Sequence, residues 1–194
     1  MKNIFNSSVG ASLRTAQNNL ANAQPRRKPQ RLPDFDYSAE GAYFVTICVK
    51  DRLPVLGKFV GEEVVLSPSG ETVKYTWNSL PVHYDAVELD EFIVMPNHVH
   101  GIIWILSKSS IERPVGEGLR PSPTVPHKLH GLPEIIRAFK SFSAREITST
   151  LKTSGAFWQR GYHEHILRND EDLFQHRAYI ISNPLKWPVD EYYQ

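Results

Sequence analysis

Residues 87–105, VELDEFIVMPNHVHGIIWI, are two apolar runs separated by Pro96-Asn97. Proline fixes φ and asparagine accepts tight backbone geometry, so this dipeptide reads as a turn between strands at about 86–95 and 98–106. Both runs stay apolar at successive positions over much of their length, the pattern of strands covered on each face. Such a pair at the middle of a chain requires further strands to flank it and helices to cover it. GAYFVTICVK (41–50) supplies another β-branched and aromatic strand. A hairpin is expected from Leu56 to Val60, turning at Gly61, and returning from Val64 to Leu66. Pro68 and Ser69 open a helix that reaches about Leu80.

Residues 107–131 carry Pro, Gly and Ser without periodicity and read as a long loop. Ile135, Ile136, Phe139, Phe142 and Ile147 then recur at helical spacing through about 133–150. Tyr162 to Leu167 reads as a strand. Asp170 and Asp172 suit the first turn of a last helix. Pro184 disfavours helical geometry at Asn183, so that helix is expected to end near Ser182. The element order predicts an α+β domain, an antiparallel sheet with helices packed on it.

A chain of 194 residues with 41% hydrophobic content is large enough for one domain with a substantial core. The expected organisation is a basic, mostly disordered arm at 1–32, a domain at 33–188 and a short tail at 189–194. Residues 1–33 contain six basic residues and no acid, which leaves 16 of the 22 basic residues against all 21 acidic ones. A basic arm on a mildly acidic body suits phosphate contacts, with Arg26, Arg27, Lys28 and Arg31 as first candidates. No stretch approaches the roughly 20 apolar residues of a membrane helix, and no secretory h-region opens the chain. The lone Cys48 fits a reducing cytoplasm.

His98 and His100 alternate along their strand and share one face, with Val99 on the other. Their position just after the turn predicts a site at a sheet end open to solvent. Ile102 and Trp104 continue that face as walls. Two neutral imidazoles so placed can hold a divalent metal. His163 and His165 alternate in the same way, so a three-histidine zinc hydrolase centre including His165 is an open alternative.

In the last helix, Leu173, Phe174, Ala178, Ile180 and Ile181 cluster on one side of a helical wheel, and Tyr179 lies nearly opposite. Tyr179 and Asn183 sit one turn apart, within reach of a common site. A phenol costs about 4 kcal/mol to ionise at pH 7, which a nearby metal on a phosphate substrate helps to offset. The predicted chemistry is metal-assisted attack by Tyr179 on a phosphodiester, with Asn183 either a third ligand or a helix C-cap.

The segments GAYFVTIC, VELDEFIVMPNHVHGII, IIRAFKS (135–141), WQRGYHEHILRNDEDL (158–173) and YIISNPLKW (179–187) together resemble the REP-associated tyrosine transposases, within the single-tyrosine HUH transposases. The resemblance covers about Arg31 to Pro188. It implies a ferredoxin-like fold, Mg²⁺ or Mn²⁺ held by His98, His100 and Asn183, and Tyr179 as nucleophile. It also implies cleavage of single-stranded DNA near REP-type hairpins, through a 5′-phosphotyrosine link with a free 3′-hydroxyl. Further DNA contacts are expected from Arg137, Lys140 and Arg145 on the 133–150 helix. Trp158, Gln159 and Arg160 combine a stacking surface with polar groups, although Trp158 also suits the core. A hairpin-binding regulator without activity and a relaxase or replication initiator are the neighbouring possibilities. A monomer is expected.

Overall fold

A computed structural model describes residues 35–107, 130–152 and 154–187. The chain divides into units 1–33 and 34–194, and the description concerns the second. Arg26, Arg27, Lys28, Arg31 and nearly all of the 107–131 loop lie outside the described residues.

Strand β1 (Gly41–Cys48) is followed by a hairpin of β2 (Gly57–Val60) and β3 (Glu63–Leu66), turning at Gly61 with φ +66°. Helix α1 (Pro68–Asn78) starts with Pro68 in its first turn and is capped by Ser67, whose hydroxyl accepts from the Gly70 amide at 3.2 Å. A single turn, α2 (Leu80–His83), leads into β4 (Val87–Val94) and β5 (His98–Ile105). Then come α3 (Leu132–Leu151), β6 (His163–Leu167) and α4 (Asp170–Lys186). The main sheet is antiparallel in the order β4-β5-β1-β6, and the β2-β3 hairpin stands apart from it. Two βαβ units giving this order make a ferredoxin-like α+β fold. β5 and β1 are central, as doubly apolar runs require, whereas β4 is an edge strand rather than a second central one.

Alternation sorts each strand between two cores. Tyr43, Val45, Ile47, Val99, Ile103 and Ile105 pack with Trp77 of α1 and Ile135, Ile136 and Phe139 of α3. Phe142, expected within the α3 stripe, is exposed instead. Gly101 is required where Trp77 crosses the sheet, since a Cβ there would lie 2.4 Å from the indole ring. Ala42, Phe44, Ile102 and Leu167 face the other way and meet Leu173 and Ile180 of α4. β4 shifts register between Leu89 and Phe92, putting three steps opposite two on β5. This bulge returns Phe92 to the first core after Asp90 has been aimed at α4.

Helix α4 departs from the sequence expectation in two ways. Asn169 caps it, accepting from the Asp172 amide at 2.8 Å, but it continues through Pro184 to Lys186. A proline this close to a helix end removes one amide donor and leaves the remaining turn intact. Asn183 is therefore a buried position within the helix, and the C-cap reading falls. The predicted apolar stripe is also wrong. Leu173, Ile180 and Asn183 face inward, while Phe174 and Ile181 are 66% and 63% exposed. Among the described residues, no helix is long and apolar enough to cross a membrane.

Candidate active site

The second face of the sheet brings His98, His100 and Tyr179 together. β5 directs both imidazoles beneath α4, where they are buried rather than open at a sheet end. Their Nε2 atoms lie 2.9 Å apart. His98 Nδ1 is 2.8 Å from the Asn97 side-chain oxygen, and His100 Nδ1 is 2.8 Å from Thr46 Oγ1. An amide oxygen only accepts, so His98 carries its proton on Nδ1 and presents a bare Nε2 to the site. The Thr46 hydroxyl can hold His100 in the same tautomer. These outer partners fix ring orientation in the manner usual for metal-binding histidines.

Burial pushes the His98 imidazole down to about 3, with the charge of Arg52 adding to the shift. His100 is likewise held well below the ordinary histidine range, first by burial, then by His98 and His163. Both are neutral at pH 7, the form that ligates metals. Two cis nitrogens bound to one divalent ion at about 2.1 Å lie about 3 Å apart. The Nε2 separation and the tautomer inferred for His98 thus fit such an ion. Nitrogen donors suit Mn²⁺ better than Mg²⁺, which prefers oxygen.

Tyr179 hangs from α4 with its hydroxyl 3.4 Å from His100 Nε2. It is half-buried on the inward, polar side of the helix. Phe44 stacks on His100 at 5.5 Å and meets the Tyr179 ring edge-on at 6.0 Å. Trp187 stacks on His98 at 5.9 Å and on Phe59 at 5.6 Å. Asn183, one turn after Tyr179, is fully buried on the same side of α4.

Polar clamps set the height of α4 above the sheet. Arg177 donates through Nε to Asp90 Oδ1 at 2.8 Å and through a terminal nitrogen to Oδ2. Trp104 Nε1 also donates to Asp90 Oδ2 at 2.9 Å. Arg177 hydrogen bonding is the main cause of an Asp90 carboxyl lowered to about 2. These partners are 87 positions apart, so no local spacing announces them. Arg52, also missed from sequence, reaches the neighbourhood of His98 from a turn where Asp51 and Arg52 both have positive φ. The only sequence sign is a charged KDR triplet at the end of β1.

Several expected DNA contacts are placed elsewhere. Trp158 is buried, and its indole donates to Ser143 Oγ at 3.0 Å, so it is core. Lys140 donates to the Gln159 and Gly161 carbonyls at 2.7 Å each and stabilises that loop. Arg137 and Arg145 are exposed on α3, across the sheet from Tyr179. Gln159 and Arg160 are exposed, and the Gln159 amide donates to the Cys48 carbonyl beside His98. His165 pairs with Asp172 and stacks on His176. Among the described residues, His98, His100 and His165 do not gather as one metal cluster.

No family model matches the chain. It is 36% identical over 172 residues to an uncharacterised protein of Haemophilus influenzae, covering 86% of this chain and 93% of that one. It is also 25% identical over 169 residues to the "Putative REP-associated tyrosine transposase" of the same organism, covering 82% and 84% respectively. The chain is thus similar over most of its length to a relative named as a REP-associated tyrosine transposase. A solved structure of a REP-associated tyrosine transposase bound to a REP hairpin aligns with a TM-score of 0.52 at 18% identity. That alignment covers 80% of this chain and 74% of the other, and it supports the shared fold. In this chain, the HVH segment and the Tyr179 helix occupy facing layers of one site.

Proposed function

We propose that this protein is a metal-dependent single-stranded DNA endonuclease and strand transferase acting beside REP-type hairpins. The observation that carries the proposal is the convergence of two buried, neutral imidazoles and one tyrosine hydroxyl from opposing layers. His98, His100 and Asn183 would hold Mn²⁺ or Mg²⁺. When bound, the ion would polarise the scissile phosphate and draw charge from the developing leaving group. Tyr179 forms the new oxygen–phosphorus bond, and the bond from phosphorus to the 3′ oxygen breaks. The products are a 5′-phosphotyrosine link and a free 3′-hydroxyl, which takes up a proton in place of the one lost by the phenol.

The chain's own residues contribute mainly positioning. Phe44 packs on His100 and Trp187 on His98, and the Asp90–Arg177 clamp sets the tyrosine helix. Orientation of a nucleophile against a bound phosphate is a large part of such catalysis. Arg52, Gln159 and Arg160 border the His98 end of the sheet and are our candidates for the DNA strand there. Arg26, Arg27, Lys28 and Arg31 are proposed to contact the hairpin backbone. The neighbour solved with a REP hairpin supports this choice of partner. We further propose that the enzyme acts as a monomer, with Tyr179 and both histidines supplied by the same chain. The lone thiol and the DNA partner favour the cytoplasm.

The test is a labelled single-stranded hairpin substrate incubated with the full chain and Mn²⁺ or Mg²⁺, followed by denaturing electrophoresis. Wild type should give a denaturation-resistant protein–DNA adduct, and Tyr179→Phe should give none while still binding DNA. Adduct from Tyr179→Phe, or activity in a His98→Ala/His100→Ala protein, would refute the assigned roles. Tight binding by wild type without any adduct would identify a regulator instead.

A further inference from the structure

His165, Asp172 and His176 lie outside the proposed nucleophile-and-metal set, yet their donor atoms all fall within 4.8 Å of one another. β6 presents His165 toward α4. Asp172 and His176 are one helical turn apart, so both meet it from the same side of the helix. His165 Nε2 lies 2.9 Å from Asp172 Oδ2, and His176 Nδ1 lies 3.2 Å from Asp172 Oδ1. The two rings stack at 4.7 Å with planes 15° apart, and Phe44 packs against His176 at 4.8 Å. All three side chains keep some exposure, leaving room for water as additional ligands.

We propose that His165, Asp172 and His176 form a second metal site, selective for a divalent transition ion such as Zn²⁺ or Co²⁺. Two imidazoles and a carboxylate are a donor set that such ions favour over Mg²⁺. His176 Nδ1 now donates to the Asp172 carbonyl at 2.8 Å, so binding releases that proton and breaks that bond. His165 contributes its Nε2. The ion would tie β6 to the first turns of α4 and brace the helix three residues before Tyr179. This site shares no ligand with the His98–His100 pair, and its existence does not depend on the proposed DNA chemistry.

The test uses untagged full-length protein and metal alone. Calorimetric titration with Zn²⁺, and with Co²⁺ followed by visible absorption, should give one tight equivalent in the His98→Ala/His100→Ala protein. Outer partners of metal ligands alone are worth about 10- to 100-fold in affinity. Adding Asp172→Asn or His176→Gln to that protein should therefore weaken binding by at least about 100-fold. Circular dichroism checks that each variant is folded. Zinc-edge X-ray absorption on the parent double variant should report two imidazoles with oxygen neighbours, a readout independent of the further substitutions. No equivalent in the double variant, one unmoved by Asp172→Asn, or a sulfur shell from Cys48 would each overturn the assignment. In the first of those outcomes, His165 and Asp172 are an ordinary hydrogen-bonded pair.

Discussion

Replacing Arg177 with methionine keeps most of its aliphatic stem and removes the charge that anchors α4 to Asp90. The folded Asp90 carboxyl titrates near 2 against an ordinary value of 3.8, a difference worth about 2 kcal/mol by linkage. The Arg177 side chain is 43% exposed, so solvent screening reduces the share belonging to this pair. Asp90 would also keep the Trp104 indole and the Glu91 amide, at 2.9 and 2.8 Å. The expected loss for Arg177→Met is therefore about 1–2 kcal/mol at pH 7, measured by urea denaturation. A carboxyl depressed in the folded state stabilises above its unfolded pKa. That contribution fades as pH falls below 3.8 and is lost through about 2. The gap between wild type and variant should thus be constant from pH 7 to 5 and narrow as pH falls through 3.8. A double-mutant cycle with Asp90→Asn should return most of the loss as coupling. Coupling under about 0.3 kcal/mol, or a gap that does not narrow with acid, would refute the clamp.

Two substitutions test the packing assignments. Gly101→Ala drives a methyl group into the Trp77 ring, itself stacked on Phe92 at 4.4 Å, and should cost about 1–3 kcal/mol in chemical denaturation with a changed near-ultraviolet tryptophan signal. Trp158→Phe removes the indole bond to Ser143 and should cost about 1–2 kcal/mol in the same assay, while hairpin DNA affinity in a filter-binding titration stays within about twofold. A large affinity loss in a folded Trp158→Phe protein would return that residue to the DNA surface.

The strands were legible because their apolar residues obey the period of a sheet, and the Pro96-Asn97 turn fixed which histidines share a face. His98, His100 and Tyr179 could be paired by residue type and spacing, and the structure brings them together. The helical wheel of α4 misled for a physical reason. Beneath that helix lie His98, His100 and Thr46, so its buried side carries Tyr179 and Asn183 while Phe174 and Ile181 point outward. Apolar periodicity finds the buried face only where the opposing surface is also apolar. Asp90 escaped notice because a β-bulge sets its direction, and Arg52 because two left-handed residues turn it back. Neither backbone feature has a period to detect.

The two faces of the sheet consequently hold their helices by different means. α1 and α3 are fixed by a broad apolar core that includes Trp77, Phe139 and the inward residues of all four strands. α4 rests on a much smaller apolar set, Ala42, Phe44, Ile102, Leu167, Leu173 and Ile180. Its remaining hold comes from the Asp90–Arg177 clamp, the Asp172–His165 contact and Trp187 stacked over His98. Directional contacts of this kind fix position more sharply than they add stability. A displacement of about 1 Å can cost about 100-fold in a reaction that depends on alignment. Lesions in these clamps should therefore reduce adduct formation far more than they reduce resistance to urea, whereas Gly101→Ala should do the reverse. Proportional losses of activity and stability across both groups would mean that α4 is held by burial after all.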